Sequence, residues 1–290
     1  MIFAAGRGDR MRPLTDQCPK PLLEAGGKPL IVWQIESLAR AGFTTIVINH
    51  AWLGEQFEAR LGDGSQWGVT LRYSAEHSAL ETAGGIAQAL PLLETHGAPS
   101  IFVAIAGDLY TAFDYATLLP AARRMAGEAI PGMHLVMVPN PPFHPRGDFS
   151  LRDDGWLTID DVKEAGRIGR GDRGDEVDEV DGAHGVNEVD EVNEVNDAKG
   201  GDRIARPDHA PSWPRLTFAS IGVYDSRMFH TIVPGTKRAL TPYFFETIAQ
   251  GRASGERYDG LWRNVGTPAH LAEIDTLLRA PGDPGATIRP

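Results

Sequence analysis

Apolar residues cluster along this chain into short runs that alternate with longer stretches of mixed character. Residues 2–5 (IFAA) lead into a glycine and predict a short buried strand. The runs 44–49 (TTIVIN) and 101–106 (IFVAIA) are β-branched or apolar almost throughout, as in strands covered on both faces. Residues 69–74 and 134–139 read as two further strands, and 149–152 with 156–159 as a hairpin. Between them helices are predicted over 29–41, 51–61, 82–93 and 114–125; Pro29 suits a first helical position and Gly42 a stop. This alternation predicts an α/β fold, a doubly wound and mostly parallel sheet flanked by helices. Ligands of such a sheet sit beyond the carboxyl ends of its strands, near the reversal of strand order. Gly6 and Asp108 both stand at such ends.

One segment breaks the pattern. The formal net charge is −11, yet residues 172–197 alone carry eleven Asp or Glu against a single Arg. They form a degenerate repeat, DEVDEVDGAHGVNEVDEVNEVND, whose apolar side chains are valines and one alanine. Such a composition cannot offset chain entropy, so a disordered, low-complexity acidic insertion is expected over 165–210. The Asp-x-Asp-x-Asp-Gly spacing of a calcium loop is missing. A single domain follows, with an ordered core of 1–160 and 212–280 and a tail at 281–290. Because the charge belongs to the insertion, neither nucleic acid nor a membrane is expected as a partner. No apolar run approaches the roughly 18 residues of a membrane span, and no signal-peptide pattern precedes the first strand. The one cysteine, Cys18, cannot form an internal disulfide, so the cytoplasm is the expected compartment.

Candidate chemistry concentrates in residues 4–21, AAGRGDRMRPLTDQCPKP. Small residues at Ala4, Ala5, Gly6 and Gly8 let backbone N–H groups approach an anion, while Arg10, Arg12 and Lys20 add charge. Prolines 13, 19 and 21 stiffen the return. The stretch reads as a polyphosphate clamp. It is not a Walker loop, and Met11 stands where a dinucleotide fingerprint needs its third glycine. Asn49, rather than an acid, ends the next strand, which also argues against a dehydrogenase. Asp108 ends an apolar strand where a nucleotide's phosphates would lie, and Mg²⁺ takes one or two carboxylates with phosphates and water. The alternative for Asp108 is a cap before the next helix. Residues 80–85 (LETAGG) lead into a helix, either as a backbone surface for a planar ring or as a tight turn. The histidines show no metal-ligand spacing.

The pattern AAGxGxRMxPLT…PKPLL resembles the sugar-1-phosphate nucleotidyltransferases. INHAWLGEQ (48–56), LGDGSQWG (61–68), LETAGGI (80–86), AGDLYT (106–111), RGDF (146–149), LTFASIGVY (216–224) and WRNVGTP (262–268) extend the likeness in order along the chain. INHAWLG with LETAGG is most similar to the group acting on N-acetylmuramate 1-phosphate in peptidoglycan recycling. The resemblance implies a Rossmann-like nucleotidyltransferase fold and Mg²⁺-dependent transfer from an NTP, UTP above all, to a sugar 1-phosphate with release of pyrophosphate. Guanylyl transfer to mannose 1-phosphate and thymidylyl or uridylyl transfer to glucose 1-phosphate are the alternatives. It implies that Ala4, Ala5, Gly6, Gly8, Arg10, Gly84 and Gly85 bind the nucleotide. Lys20, Glu81, Asn140, Gly147 and Asp148 would bind the sugar phosphate, with Arg10, Lys20 and Asp108 catalytic. Many relatives carry W-x-D-x-G-T where this chain has Trp262-Arg263-Asn264. Asp108 and Asn264 would then hold Mg²⁺ with one charge fewer, and a non-catalytic nucleotide-sugar-binding regulator is the alternative from another class. A monomer or small homo-oligomer is expected.

Overall fold

The structure is a computed structural model, and it describes residues 1–94, 97–159 and 213–280. The acidic insertion expected over 165–210 and the tail 281–290 lie outside the described residues.

The strands are β1 (Ile2–Phe3), β2 (Glu24–Ala25), β3 (Lys28–Pro29), β4 (Thr45–His50), β5 (Thr70–Ala75), β6 (Ile101–Ala106), β7 (Leu109–Thr111), β8 (Met133–Val138), β9 (Phe149–Leu151), β10 (Leu157–Thr158), β11 (Arg215–Asp225), β12 (Ala253–Arg257) and β13 (Trp262–Asn264). The helices are α1 (Leu30–Arg40), α2 (Glu55–Leu61), α3 (Glu81–Leu93), α4 (Leu119–Ala126), α5 (Thr241–Ala249) and α6 (Pro268–Arg279). Pro29 ends a strand and caps α1 from outside, one position earlier than expected. The helix expected over 51–61 begins only at Glu55, because Leu53 turns left-handed (φ 50°) and Gly54 occupies the cap. A 3₁₀ turn, Tyr115–Leu118, takes the first part of the helix expected over 114–125.

Nine strands form one sheet in the order β10-β9-β11-β6-β1-β4-β5, with β8 joining β11 and β12 joining β8. The segment β6-β1-β4-β5 is parallel, as the alternation predicted. β11 runs against β6, β8 and β9, so the sheet is mixed. From β1 the chain adds β4 and β5 on one side and then returns to place β6 on the other. The crevice between β1 and β6 is therefore the switch point of this sheet.

Both faces are covered, and alternation along each strand shows how. Ile46, Ile48, Val103, Ile105, Val136 and Val138 pack with Ile31, Ile35, Phe57 and Leu61 of α1 and α2. Their neighbours Val47, Phe102, Ala104, Leu135 and Met137 pack with Ala83, Ile86 and Phe244 of α3 and α5. Burial on both sides is why these strands read as continuous apolar runs. A third cluster seats Ile274 of α6 on Met11, Leu23, Leu30 and Val265, which ties the C-terminal helix to the phosphate loop.

Far from the switch point, His134 of β8 is buried, with Nδ1 2.9 Å from Ser254 Oγ. Burial first, and then the charge of Arg124, push its pKa down to about 4. Below the ordinary value of 6.5 the unfolded chain takes up a proton that the folded chain refuses, so stability falls as pH drops through this window. The full effect is on the order of 3 kcal/mol. Urea unfolding between about pH 6.5 and pH 4 should therefore show a shallower loss of stability for His134→Gln than for the wild type. Parallel curves would remove His134 from the acid response.

Candidate active site

The phosphate loop leaves β1 at the switch point and returns through two 3₁₀ turns, Asp9–Met11 and Leu14–Asp16. Gly8 is left-handed (φ 71°) and its carbonyl accepts from Met11 N and Thr15 Oγ1, each at 2.9 Å. The loop rests on the segment after β4. Trp52 Nε1 donates to the Thr15 carbonyl at 3.0 Å, and the Arg7 guanidinium lies 3.9 Å from the centre of a Trp52 ring. Gln56 Nε2 donates to the Gln17 carbonyl at 2.9 Å. Arg10 is exposed on this loop.

The loop's return delivers Lys20 to the end of β6. Lys20 Nζ lies 2.6 Å from Asp108 Oδ2, with the two side chains 9% and 11% exposed. β13 pairs with β7 so that Asn264 stands opposite Leu109, and Val265 N donates to the Asp108 carbonyl at 3.0 Å. Asn264 is buried, and its Oδ1 has no hydrogen-bond partner among the described residues. A buried carbonyl oxygen left open is a costly arrangement unless something electropositive occupies it. The donor pair of Asp108 and Asn264, all oxygen, fits a hard divalent cation completed by phosphates and water. Lys20 and Asp108, remote in sequence, thus meet, and β13 brings Asn264 onto the strand paired with the one that follows Asp108.

A second set of residues supports the first and escaped sequence reading. Asn49 Oδ1 accepts from Ala4 N at 3.0 Å, while its Nδ2 donates to Glu76 Oε1 at 2.7 Å. Glu76 Oε2 accepts from Leu80 N at 2.9 Å. Burial pushes the Glu76 carboxyl up, and the bonds from Asn49 and Leu80 oppose that. Gln34 of α1 donates to the Leu109 carbonyl at 2.6 Å and is itself held by the Tyr115 hydroxyl. These residues fix the backbone around Ala4 and Asp108. Their one visible signal was position: Asn49 and Glu76 are polar residues at or just past the carboxyl ends of strands. Ser220 gave no signal at all. It is left-handed (φ 56°) within a bulge of β11, next to Ile221, which pairs with Ile105. Such strain costs on the order of 1–3 kcal/mol and gathers at functional sites.

The remaining expected residues are placed differently. Gly84 and Gly85 lie inside α3, as the helix expected over 82–93 has them, and both are buried. A Cβ on Gly84 would stand 2.4 Å from the Thr236 carbonyl oxygen, and one on Gly85 2.8 Å from Asn49 Nδ2 and Glu76 Oε1. Their smallness thus serves close packing. Glu81 opens α3 exposed and left-handed (φ 57°), 3.6 Å from Lys237 Nζ. Asn140, Gly147 and Asp148 sit together on the loop between β8 and β9. Asn140 Nδ2 donates to the Pro145 and Arg215 carbonyls, and its Oδ1 accepts from Thr217 Oγ1. Asp148 is buried, with Oδ2 accepting from Phe218 N at 2.7 Å and Oδ1 3.1 Å from His144 Nε2.

A glycine loop facing an acid-bearing strand end across the switch point of an α/β sheet is where such folds bind their ligands, nucleotides among them. The comparisons agree. A family model described as Nucleotidyl transferase matches residues 1–143. The N-acetylmuramate alpha-1-phosphate uridylyltransferase of Neisseria meningitidis serogroup B is 41% identical over 281 residues, spanning 97% of this chain and 98% of that protein. That of Caulobacter vibrioides is 28% identical over 286 residues, 97% of each. The solved structure of HddC from Yersinia pseudotuberculosis superposes with a TM-score of 0.62 at 15% identity, covering 95% of this chain and 96% of that one. The chain belongs to the nucleotidyl transferase family, and it is a nucleotidyltransferase enzyme. No helix among the described residues is long and apolar enough to cross a membrane.

Gly84→Ala should lower stability by about 1–3 kcal/mol, because the new methyl group meets backbone that cannot turn aside. Urea unfolding measures it, and an unchanged midpoint would show that the 233–238 segment yields freely.

Proposed function

We propose that this enzyme transfers the uridylyl group of UTP to N-acetylmuramate 1-phosphate with release of pyrophosphate, in peptidoglycan recycling in the cytoplasm, and that it uses Mg²⁺. The observation that carries the reading is the buried Lys20–Asp108 contact at the return of the glycine loop, with the Asn264 oxygen, unpartnered among the described residues, on the strand paired just after Asp108. The acceptor and the base are supported by the likeness to the two uridylyltransferases. The acceptor's phosphate oxygen attacks the α-phosphorus and pyrophosphate leaves in line. The attacking phosphate is already ionised, so positioning and charge neutralisation do the chemistry and no strong base is needed. Backbone N–H groups of residues 6–8 and the Arg10 side chain bind the triphosphate. Lys20 neutralises the α-phosphate or the incoming phosphate. Asp108 and Asn264 would hold Mg²⁺, which supplies countercharge to the phosphate oxygens. The Asn49–Glu76 network keeps the Ala4 backbone in place, and Gln34 does the same for the strand after Asp108.

Pyrophosphate release should be measured across UTP, dTTP, GTP and CTP, each against N-acetylmuramate, N-acetylglucosamine, glucose and mannose 1-phosphates. The expected result is turnover with UTP and N-acetylmuramate 1-phosphate. Turnover with another pair would keep the mechanism and replace the substrates. Asp108→Asn should lower kcat by at least about 100-fold with the fold retained, and near-normal turnover would remove it from the site. Asn264→Asp should tighten Mg²⁺ binding in calorimetry with UTP present, since a charge replaces a neutral oxygen. Unchanged affinity would show that this side chain is no ligand.

A further inference from the structure

The loop 139–148 leaves β8 at the same edge of the sheet as Asp108. It crosses to β9 on the side of β6 opposite β1 and the phosphate loop. An acceptor reaching Asp108 from that side passes this loop. The loop's backbone is firmly held. Besides the bonds of Asn140 and Asp148, Arg215 Nε donates to the Gly147 carbonyl at 3.1 Å. Gly147 is left-handed (φ 63°), and a Cβ there would stand 2.6 Å from Asn140 Oδ1. Asn140 and Asp148, expected to meet the sugar, are thus taken up in bracing. Arg146 is the exception. It is exposed and makes no ion pair or hydrogen bond among the described residues, although its neighbour is one of the most constrained glycines in the fold. Phe143, on the same loop, is 56% exposed.

We propose that Arg146 is a specificity-determining residue that reads a carboxylate on the acceptor sugar, with Phe143 covering the apolar part of the substituent that carries it. The inference rests on the function proposed above. N-acetylmuramate 1-phosphate differs from N-acetylglucosamine 1-phosphate by a lactyl ether on C3, which adds a second negative charge remote from the phosphate. Lys20 lies at the phosphate end, so the second charge needs a cation elsewhere. Arg215 is committed to the Gly147 carbonyl. Arg263 donates to the Trp262 carbonyl and lies 3.5 Å from Glu273. Lys237 faces Glu81 at the start of α3, where Arg238 pairs its backbone with Leu80 and Gly84. Arg146 presents a planar fork, unengaged among the described residues and suited to a carboxylate, on a backbone already ordered, so binding needs to order only the side chain.

The test compares the wild-type enzyme with Arg146→Ala and Arg146→Lys, using UTP, Mg²⁺ and the two acceptors that differ only in the lactyl group. Arg146→Ala should lose roughly 10- to 100-fold in kcat/KM for N-acetylmuramate 1-phosphate, mainly through KM, as expected for one charge-assisted contact. The value for N-acetylglucosamine 1-phosphate should hold or rise, and Arg146→Lys should recover part of the loss. Calorimetry with UDP-N-acetylmuramate and UDP-N-acetylglucosamine gives the same comparison if the second acceptor is not turned over. Equal losses with both ligands, or none with either, would overturn the assignment while leaving a wild-type preference for N-acetylmuramate 1-phosphate intact. A wild type that uses only sugars without a carboxylate would overturn both this inference and the function it rests on.

Discussion

The buried contact between Lys20 and Asp108 constrains most of what surrounds it. Removing one partner of such a pair leaves an uncompensated charge and costs several kcal/mol, so each side chain holds the other's element in place. Lys20 arrives on the return of the phosphate loop, and Asp108 on the end of a central strand. Their contact therefore closes the loop over the crevice between β1 and β6. It also places opposite charges where a phosphate and a cation would each find a partner. On the function proposed, an incoming phosphate would compete for the lysine without disturbing the strand, because Gln34 and the β7–β13 pairing hold the Asp108 segment independently.

Two kinds of backbone meet at that contact. On one side the strands are parallel and their ends are tied by a polar relay from Ala4 through Asn49 and Glu76 to Leu80. Every buried polar atom named in it has a partner, which makes the relay rigidifying rather than costly. On the other side β11 runs antiparallel and contains the bulge at Ser220. The sheet thus joins a regular parallel half to an irregular antiparallel half.

Much of this was legible in the residues. The strands at 101–106 and 44–49 were visible because burial on both faces forces unbroken apolar runs, and their boundaries differ by at most one residue from those expected. The glycine loop and Asp108 stood out as candidates because the features that single them out are local: small residues, cations and a carboxylate at strand ends. Gly84 and Gly85 show the limit. Whether a glycine yields to a ligand or to a packed neighbour depends on Thr236, Asn49 and Glu76, which are distant in sequence. Asp148 is similar, since the donors that occupy it come from Phe218 and His144. The direction of β11 was hidden too, because a buried antiparallel strand and a buried parallel one have the same composition.

The placement of β11 also governs how the molecule can be made. This strand fills the middle of the sheet, between β6 on one side and β8 and β9 on the other, yet it comes from residue 215 onward. A nascent chain that has emerged only through residue 159 holds β6, β8 and β9 with the edges they later present to β11 still unpaired. Open edges of that kind invite pairing with other chains until the missing strand arrives. Asn264 follows later still. Synthesis must therefore run past residue 225 before the sheet is continuous and past residue 264 before β13 is in place, and a chain halted early is an aggregation hazard rather than a slow enzyme.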